Sequence, residues 1–273
     1  MARTVWFPGH MARGTRKLSE LAGKLDLLLE VRDARAPEST SSPAVRAFSR
    51  ELPVWTVLAK RDLAEEEITK EWVRFFERSG GRAWALNLLS PRVDSLRRAL
   101  LSAAPSHREI RLAVVGIPNV GKSLLLNALV GKSQAQVGGI PGVTRGVAWY
   151  RGNGLLIVDS PGILDPHSGE AAHRRLAWLG CSKADVIGGF DVVAADLIAF
   201  LKTTHRWKLI FDAWGVADEE ESPGEALERI GRRLGCLVAG GRVDLEQAGR
   251  RLVDAFSRGT LGSVSIEAPD GEP

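Results

Sequence analysis

Short apolar runs punctuate the first 160 residues, and amphipathic stretches lie between them. The runs Leu25 to Val31, Val54 to Leu58, Arg82 to Asn87, Ile110 to Gly116, Gly146 to Tyr150 and Leu155 to Asp159 read as strands. Each is rich in aliphatic or β-branched residues and ends in polar or glycine-bearing turns. Between them, Glu65 to Arg78, Val93 to Ala103 and Lys122 to Val130 carry the apolar spacing of helices. Strands alternating with helices predict a mostly parallel sheet with flanking helices. After Gly162 the strand signal fades, and Glu170 to Leu179, Val192 to Lys202, Pro223 to Leu234 and Leu245 to Arg258 read as helices. The expected organisation is a basic segment over 1–24, an α/β domain over 25–169 and a small all-helical domain over 170–273. There is no internal repeat, and only the final EAPDGEP reads as frayed.

Composition fits a folded chain: 44% of the 273 residues are apolar, 26% are charged, and mean hydropathy is −0.06. No apolar run approaches the length that spans a bilayer, and the opening MARTVWFPGHMARGTRK has no signal-peptide core. A cytoplasmic, monomeric protein with no membrane partner is expected. Cys181 and Cys236 lie far apart with no metal-ligand spacing and read as buried small hydrophobes. The net charge of +4 is uneven, with 26 Lys and Arg against 17 Asp and Glu in residues 1–177, and 11 against 16 thereafter. Within the tail, seven acids between Asp212 and Glu228 precede an arginine-rich stretch from Arg229 to Arg258. Such segregation suits either a nucleic-acid-facing surface or a solvated helix face.

The strongest chemical signal is Gly116-Ile117-Pro118-Asn119-Val120-Gly121-Lys122-Ser123, which matches G-x-x-x-x-G-K-[ST] between an apolar strand and a helix. Backbone N–H groups from Asn119 to Leu124, through Val120 and Gly121, are expected to surround phosphate. Lys122 would reach the β and γ oxygens, and the Ser123 hydroxyl would bind Mg²⁺. Downstream, the strand ending Asp159-Ser160-Pro161-Gly162 offers an acid for the Mg²⁺ shell, through water, and a glycine N–H for the γ-phosphate. Thr144, in the intervening loop, is a further candidate Mg²⁺ ligand.

The guanine-reading motif of such proteins, Asn-Lys-x-Asp, normally follows these loops. Here its nearest match, Ala59-Lys60-Arg61-Asp62, precedes them and follows the strand VWTVL. Asn87 and Leu88 end the next strand, where a base-supporting loop belongs. Ser182-Lys183-Ala184-Asp185 lies only 23 residues beyond Asp159 and lacks a preceding strand, so it reads as an accident. The order is therefore reader, support, phosphate loop, switch and Asp-x-x-Gly.

In this order of motifs, the chain resembles a circularly permuted P-loop GTPase, and closely the ribosome biogenesis GTPase A family. The resemblance includes Trp6-Phe7-Pro8-Gly9-His10-Met11 and Val31-Arg32-Asp33-Ala34-Arg35-Ala36-Pro37. It extends to the closing GCLVAGGRVDLEQAGRRLVDAFSRGTLGSVSIEAP. It implies binding and hydrolysis of GTP to GDP, Mg²⁺ as cofactor, and action on the large ribosomal subunit precursor. It further implies that the helical domain and basic N-terminal segment engage rRNA. Many GTPases carry a water-orienting Gln after Asp-x-x-Gly; Ile163 stands there, and the resemblance points to His10 as its substitute. Arg13, Arg16 and Lys17 beside His10 read either as phosphate contacts or as a solvated face. Asn119 is either a K⁺ ligand, as the resemblance implies, or a polar residue bonding its own turn.

Ala59 departs from the family pattern because a methyl cannot make the contacts of the Asn amide. Asp62 retains the stronger discrimination, since its carboxylate accepts from guanine N1–H and N2–H₂. Hydrogen bonds to a charged group contribute about 1.5–3 kcal/mol, enough for two to sustain a preference for guanine. Two alternatives stand beside a GTPase stimulated by the ribosomal particle. One is an rRNA-binding scaffold with little hydrolysis; the other is an NTPase of relaxed base specificity.

Overall fold

A computed structural model describes residues 16, 19–48, 52–131, 135–137, 148–160, 162, 164 and 168–269. They fall into two compact units, the first holding residues up to 164 together with 265–269, the second holding 168–264. Sequence pattern alone places 265–269 in the helical domain. They instead pack with the first unit, because their hydrogen-bond partners lie there.

In the first unit, the strands are β1 (Leu27–Asp33), β2 (Val54–Ala59), β3 (Arg82–Leu86), β4 (Ile110–Val115), β5 (Ala135–Val137), β6 (Trp149–Gly152) and β7 (Leu155–Asp159). They form one sheet in the order β3-β2-β1-β4-β7-β6-β5. The five strands from β3 to β7 in that order are parallel, and β6 and β5 continue the sheet antiparallel. Strands β1, β2, β4 and β7 are buried along nearly their whole length, as a sheet covered on both faces requires, and charged Glu30 and Asp33 of β1 are buried with the rest. On one face, Leu28, Ala113, Val115 and Val158 join Val45, Phe48 and Trp149 in a buried cluster.

Helices α1 (Pro43–Phe48), α2 (Glu66–Arg78), α3 (Asp94–Ser102) and α4 (Lys122–Val130) accompany the sheet. Helix α2 buries Trp72 beside Ala34, Leu58 and Ala64, with Phe75 and Phe76 packed around it. Trp72 stacks on Phe76 at 5.8 Å and meets Phe75 edge-on at 5.5 Å between ring centroids. The predicted strands and helices of this unit correspond to β1–β4, β6, β7 and α2–α4, with ends displaced by a few residues. Helix α1 and strand β5 escape sequence reading because six and three residues are too few to establish a period. Strand β6 begins at Trp149 rather than at Gly146, which lies outside the described residues.

The second unit contains α5 (Glu170–Trp178), α6 (Phe190–Thr203), α7 (Lys208–Trp214), α8 (Pro223–Arg233) and α9 (Leu245–Ser257). Ser222 caps α8 in a reciprocal box with Glu225, and Pro223 occupies the first turn, where its missing N–H costs nothing. Asp244 caps α9 by accepting from the Gln247 N–H. Helix α7, less than two turns long, is not legible in the sequence as a separate element. The Ser182–Asp185 stretch follows helix α5 and runs into a 3₁₀ turn, Ala184–Ile187, with no strand before it. Cys181 and Cys236 are buried and form no disulfide among the described residues.

The separated charges of this unit pair with one another in part. Arg229 bonds Glu219 at 2.8 Å and also Glu221, while Arg232 bonds Glu228 at 2.7 Å. Arg233 and Arg251 donate to the carbonyls of Trp214 and Leu234. The acidic stretch thus answers part of the basic one, and the basic surface is smaller than the sequence suggests.

Helix α9 crosses the start of α6 at Gly249, where an added Cβ would lie 2.3 Å from the Phe190 carbonyl oxygen. A mid-helix glycine is otherwise unfavourable by about 1 kcal/mol, so close backbone packing accounts for its presence. Gly249→Ala is expected to destabilise this unit by about 1–3 kcal/mol through overpacking, measured by equilibrium denaturant unfolding.

Candidate nucleotide site

Parallel strands bring their carboxyl ends to one edge of the sheet, and chain order reverses between β1 and β4. Such a switch point is where open α/β sheets bind ligands. The phosphate-loop segment leaves β4 there. Its first glycine, Gly116, has φ +156°, and an added Cβ would sit 2.6 Å from the Val31 carbonyl oxygen of β1. Asn119 adopts the left-handed conformation at φ 60°, and Gly121 does so at φ 112°, which turns the chain into α4. Lys122 is buried and donates from Nζ to the Ile117 carbonyl oxygen at 2.8 Å, so its ammonium lies back across its own loop. Ser123, Leu124 and Asn119 are exposed, whereas Val120 is buried. The backbone N–H groups at the start of α4 lack intrahelical partners by construction, a ready seat for anionic oxygen.

The reader lies beside this loop. Lys60 leaves β2 in the left-handed conformation (φ 57°, ψ 36°), and Arg61–Leu63 form a 3₁₀ turn that exposes Asp62. Ala59 is fully buried beneath the phosphate loop. A Cβ added at Gly121 would meet Ala59 Cβ at 3.6 Å and Leu88 Cδ1 at 3.1 Å. Reader, support and phosphate loop therefore meet through apolar contact at the position of the missing Asn. Asn87 holds the support turn by accepting from the Leu89 N–H at 2.9 Å, which leaves Leu88 buried and Leu89 80% exposed.

Asp33 is a site residue to which sequence reasoning assigns no role. It pairs with Ala59 across β1 and β2, so its fully buried carboxylate stands beside Lys60. Lys60 Nζ lies 2.9 Å from Asp33 Oδ2; Arg35 donates to the same carboxylate from Nη2 at 2.8 Å and Nε at 3.0 Å. Burial pushes the Asp33 carboxyl up, but Arg35 and Lys60 outweigh it and hold it below the usual carboxylate range. Acid and arginine in Asp-Ala-Arg hint at a pair; only the strand register shows that Lys60 joins it.

At the far side, Asp159 ends β7. Its Oδ1 is buried with no hydrogen-bond partner among the described residues, and burial raises its pKa, with Lys122 opposing. Gly162 lies against the phosphate loop, where an added Cβ would be 2.7 Å from Pro118 N. The Asp159 carboxylate, whose charge Lys122 favours, and the exposed hydroxyl of Ser123, the residue after Lys122, are both oxygen donors. That chemistry fits Mg²⁺ shared with phosphate oxygens. His10, Arg13, Lys17, Thr144 and Ile163 lie outside the described residues. Arg16 is described, and its guanidinium pairs with Glu20 at 3.4 Å.

Asp159→Asn is expected to raise the melting temperature of the nucleotide-free protein and to weaken its Mg²⁺-dependent nucleotide binding. Because the folded-state pKa is raised, the group's cost to stability is present above that pKa and fades as pH falls through it. The stability gap between wild type and variant should therefore narrow at low pH, read by calorimetry across a pH series.

The comparisons with known proteins agree with this geometry. A family model described as "50S ribosome-binding GTPase" matches residues 111–208. A ribosome biogenesis GTPase A of Bacillus cereus is 31% identical over 283 residues, covering 97% of this chain and 94% of that protein. Its namesake in Thermotoga maritima is 33% identical over 267 residues, covering 97% and 94%. A GNP-bound structure of YlqF from T. maritima superposes with a TM-score of 0.68 at 29% identity, covering 94% of this chain and 99% of that one. A GDP-bound YlqF structure superposes with a TM-score of 0.67 at 30% identity, covering 93% and 99%. The parallel sheet with its permuted motif order and this near full-length kinship lead to one conclusion: the chain is a GTPase of the ribosome biogenesis GTPase A family.

Proposed function

We propose that this GTP-binding ribosome assembly factor acts on the large ribosomal subunit precursor and hydrolyses GTP to GDP when that particle is bound. The observation that supports the site assignment is the meeting of Ala59, Leu88 and Gly121, which brings the reader and support loops against the phosphate loop. In this reading, Asp62 accepts from the guanine base, and Lys60, Asn87 and Leu88 frame it. The backbone from Asn119 to Leu124 holds the phosphates, and Lys122 moves from the Ile117 carbonyl to the β and γ oxygens. Ser123, Thr144 and Asp159 would hold Mg²⁺, which when bound neutralises charge on the phosphates. Asn119 is a candidate K⁺ ligand, and the Gly162 N–H faces the γ-phosphate. His10 orients the attacking water once the particle is engaged, and Arg13, Arg16 and Lys17 contact rRNA together with the helical domain.

With purified large subunits in K⁺ buffer, GTP turnover by the wild type should rise, and His10→Ala should lose about a hundredfold of that rise. Full stimulation of His10→Ala would remove the histidine from the mechanism, and a wild type that stays idle with the particle would favour a scaffold.

A second reading, relaxed base choice, is favoured by Ala59 alone. Ala59→Asn is expected to tighten GDP binding about threefold to tenfold, the worth of one added hydrogen bond. Calorimetric titration of both proteins with GDP and ADP checks it, and equal GDP affinities would refute the role given to this position.

A further inference from the structure

Residues 265–268 follow the helical unit in the chain and pack on the nucleotide unit, at both ends of the guanine-reading loop. At one end, Glu65 directly precedes α2 and lies three residues beyond Asp62. Its N–H donates to Ser265 Oγ at 3.1 Å, and its carboxylate accepts from the Ser265 N–H at 3.0 Å. At the other end, Ile266 and Glu267 donate from their N–H groups to the Arg35 carbonyl oxygen at 2.7 and 3.3 Å. Arg35 grips Asp33, and Asp33 grips Lys60, the first residue of the loop. The Glu267 carboxylate then fastens the turn after Arg35, accepting from the Glu38 N–H at 2.8 Å and from the Ser39 N–H and hydroxyl. Its carbonyl accepts from Trp72 Nε1 at 3.1 Å, which ties the segment to α2.

We propose that residues 265–268 are a positioning strap for the guanine-reading loop. They hold Lys60 and Asp62 in their binding arrangement, where the Ala59 methyl cannot hydrogen-bond the loop to its neighbours. Both ends of the loop terminate on the strap: Lys60 through Asp33 and Arg35, and Glu65 directly. Ser265 is 2% exposed, so its bonds to Glu65 are shielded from competing water. A loop held in advance loses less conformational freedom when the base arrives, and that saving appears as affinity. The hydrogen bonds of the strap given above reach no phosphate-binding residue, so its effect falls on base recognition. The inference rests on the assignment of residues 60–62 as the guanine reader.

The test uses the full chain carrying Ser265→Ala with Glu267→Ala, and separately Ile266→Pro, which removes the N–H donated to the Arg35 carbonyl. Affinities for fluorescent GDP and ADP are measured with turnover at saturating GTP, on protein whose circular dichroism matches wild type. The expected result is about a tenfold loss of GDP affinity with ADP affinity and saturated turnover within about twofold, so that preference for guanine shrinks. Ser265→Thr, which keeps the hydroxyl, should bind GDP like wild type. A purely structural role would lower GDP and ADP affinity together, and that result, or unchanged GDP affinity in both folded variants, overturns the strap. If the double variant does not fold, the same outcomes are read from Ile266→Pro and from Ser265→Ala alone. A wild-type chain that binds GDP no better than ADP would overturn the reader assignment itself, whatever the variants do.

Discussion

The nucleotide site depends on the close approach of the phosphate loop to strand β1. Gly116 turns against the Val31 carbonyl so tightly that no side chain fits between them. That approach puts the phosphate loop next to the end of β1, and the register of β1 on β2 then sets Asp33 beside Ala59 and Lys60. The same loop meets Gly162 at Pro118 on its other flank. Glycines at these two approaches let the phosphate loop lie against β1 on one side and against the loop from β7 on the other.

Two kinds of stabilisation divide the site. The reader side is assembled by burial and a closed ionic cluster, in which Asp33 is satisfied by Arg35 and Lys60. Buried charges of this kind are tolerated because each has partners, and removal of one partner leaves the others stranded. The phosphate-loop side carries Asp159, whose buried oxygen lacks a partner among the described residues and whose ionised form is disfavoured by its surroundings. An unsatisfied group at the end of a well-packed strand is a stability cost that a bound cation would offset. The two sides of the candidate site thus differ: Asp33 is held by ion pairs, whereas the Asp159 carboxylate sits in surroundings that disfavour its charge.

Much of the fold was legible because most of its strands are rich in apolar residues and separated by helices with clear spacing. The phosphate loop was legible at every position, since glycine, lysine and serine at those offsets, between an apolar strand and a helix, make a turn built for phosphate. What failed to show in the chain were short elements, such as α1 and α7, whose few residues leave periodicity undefined. The placement of 265–269 was also hidden, because Ser265 and Glu267 find partners about 200 residues away. Charge patterning misled in part: the arginines after residue 228 look like a free basic face, yet Arg229 and Arg232 are engaged by nearby glutamates.

By itself, the sequence determined the α/β class, the phosphate loop and the order in which the candidate motifs follow one another. Those follow from local rules of residue type and spacing, which act over a few turns of chain. Only the tertiary structure decided that Ala59 and Leu88 close on Gly121, that Asp33 holds Lys60, and that the segment after Val264 returns to the nucleotide unit. These depend on strand register and long-range hydrogen bonds, which no local pattern encodes.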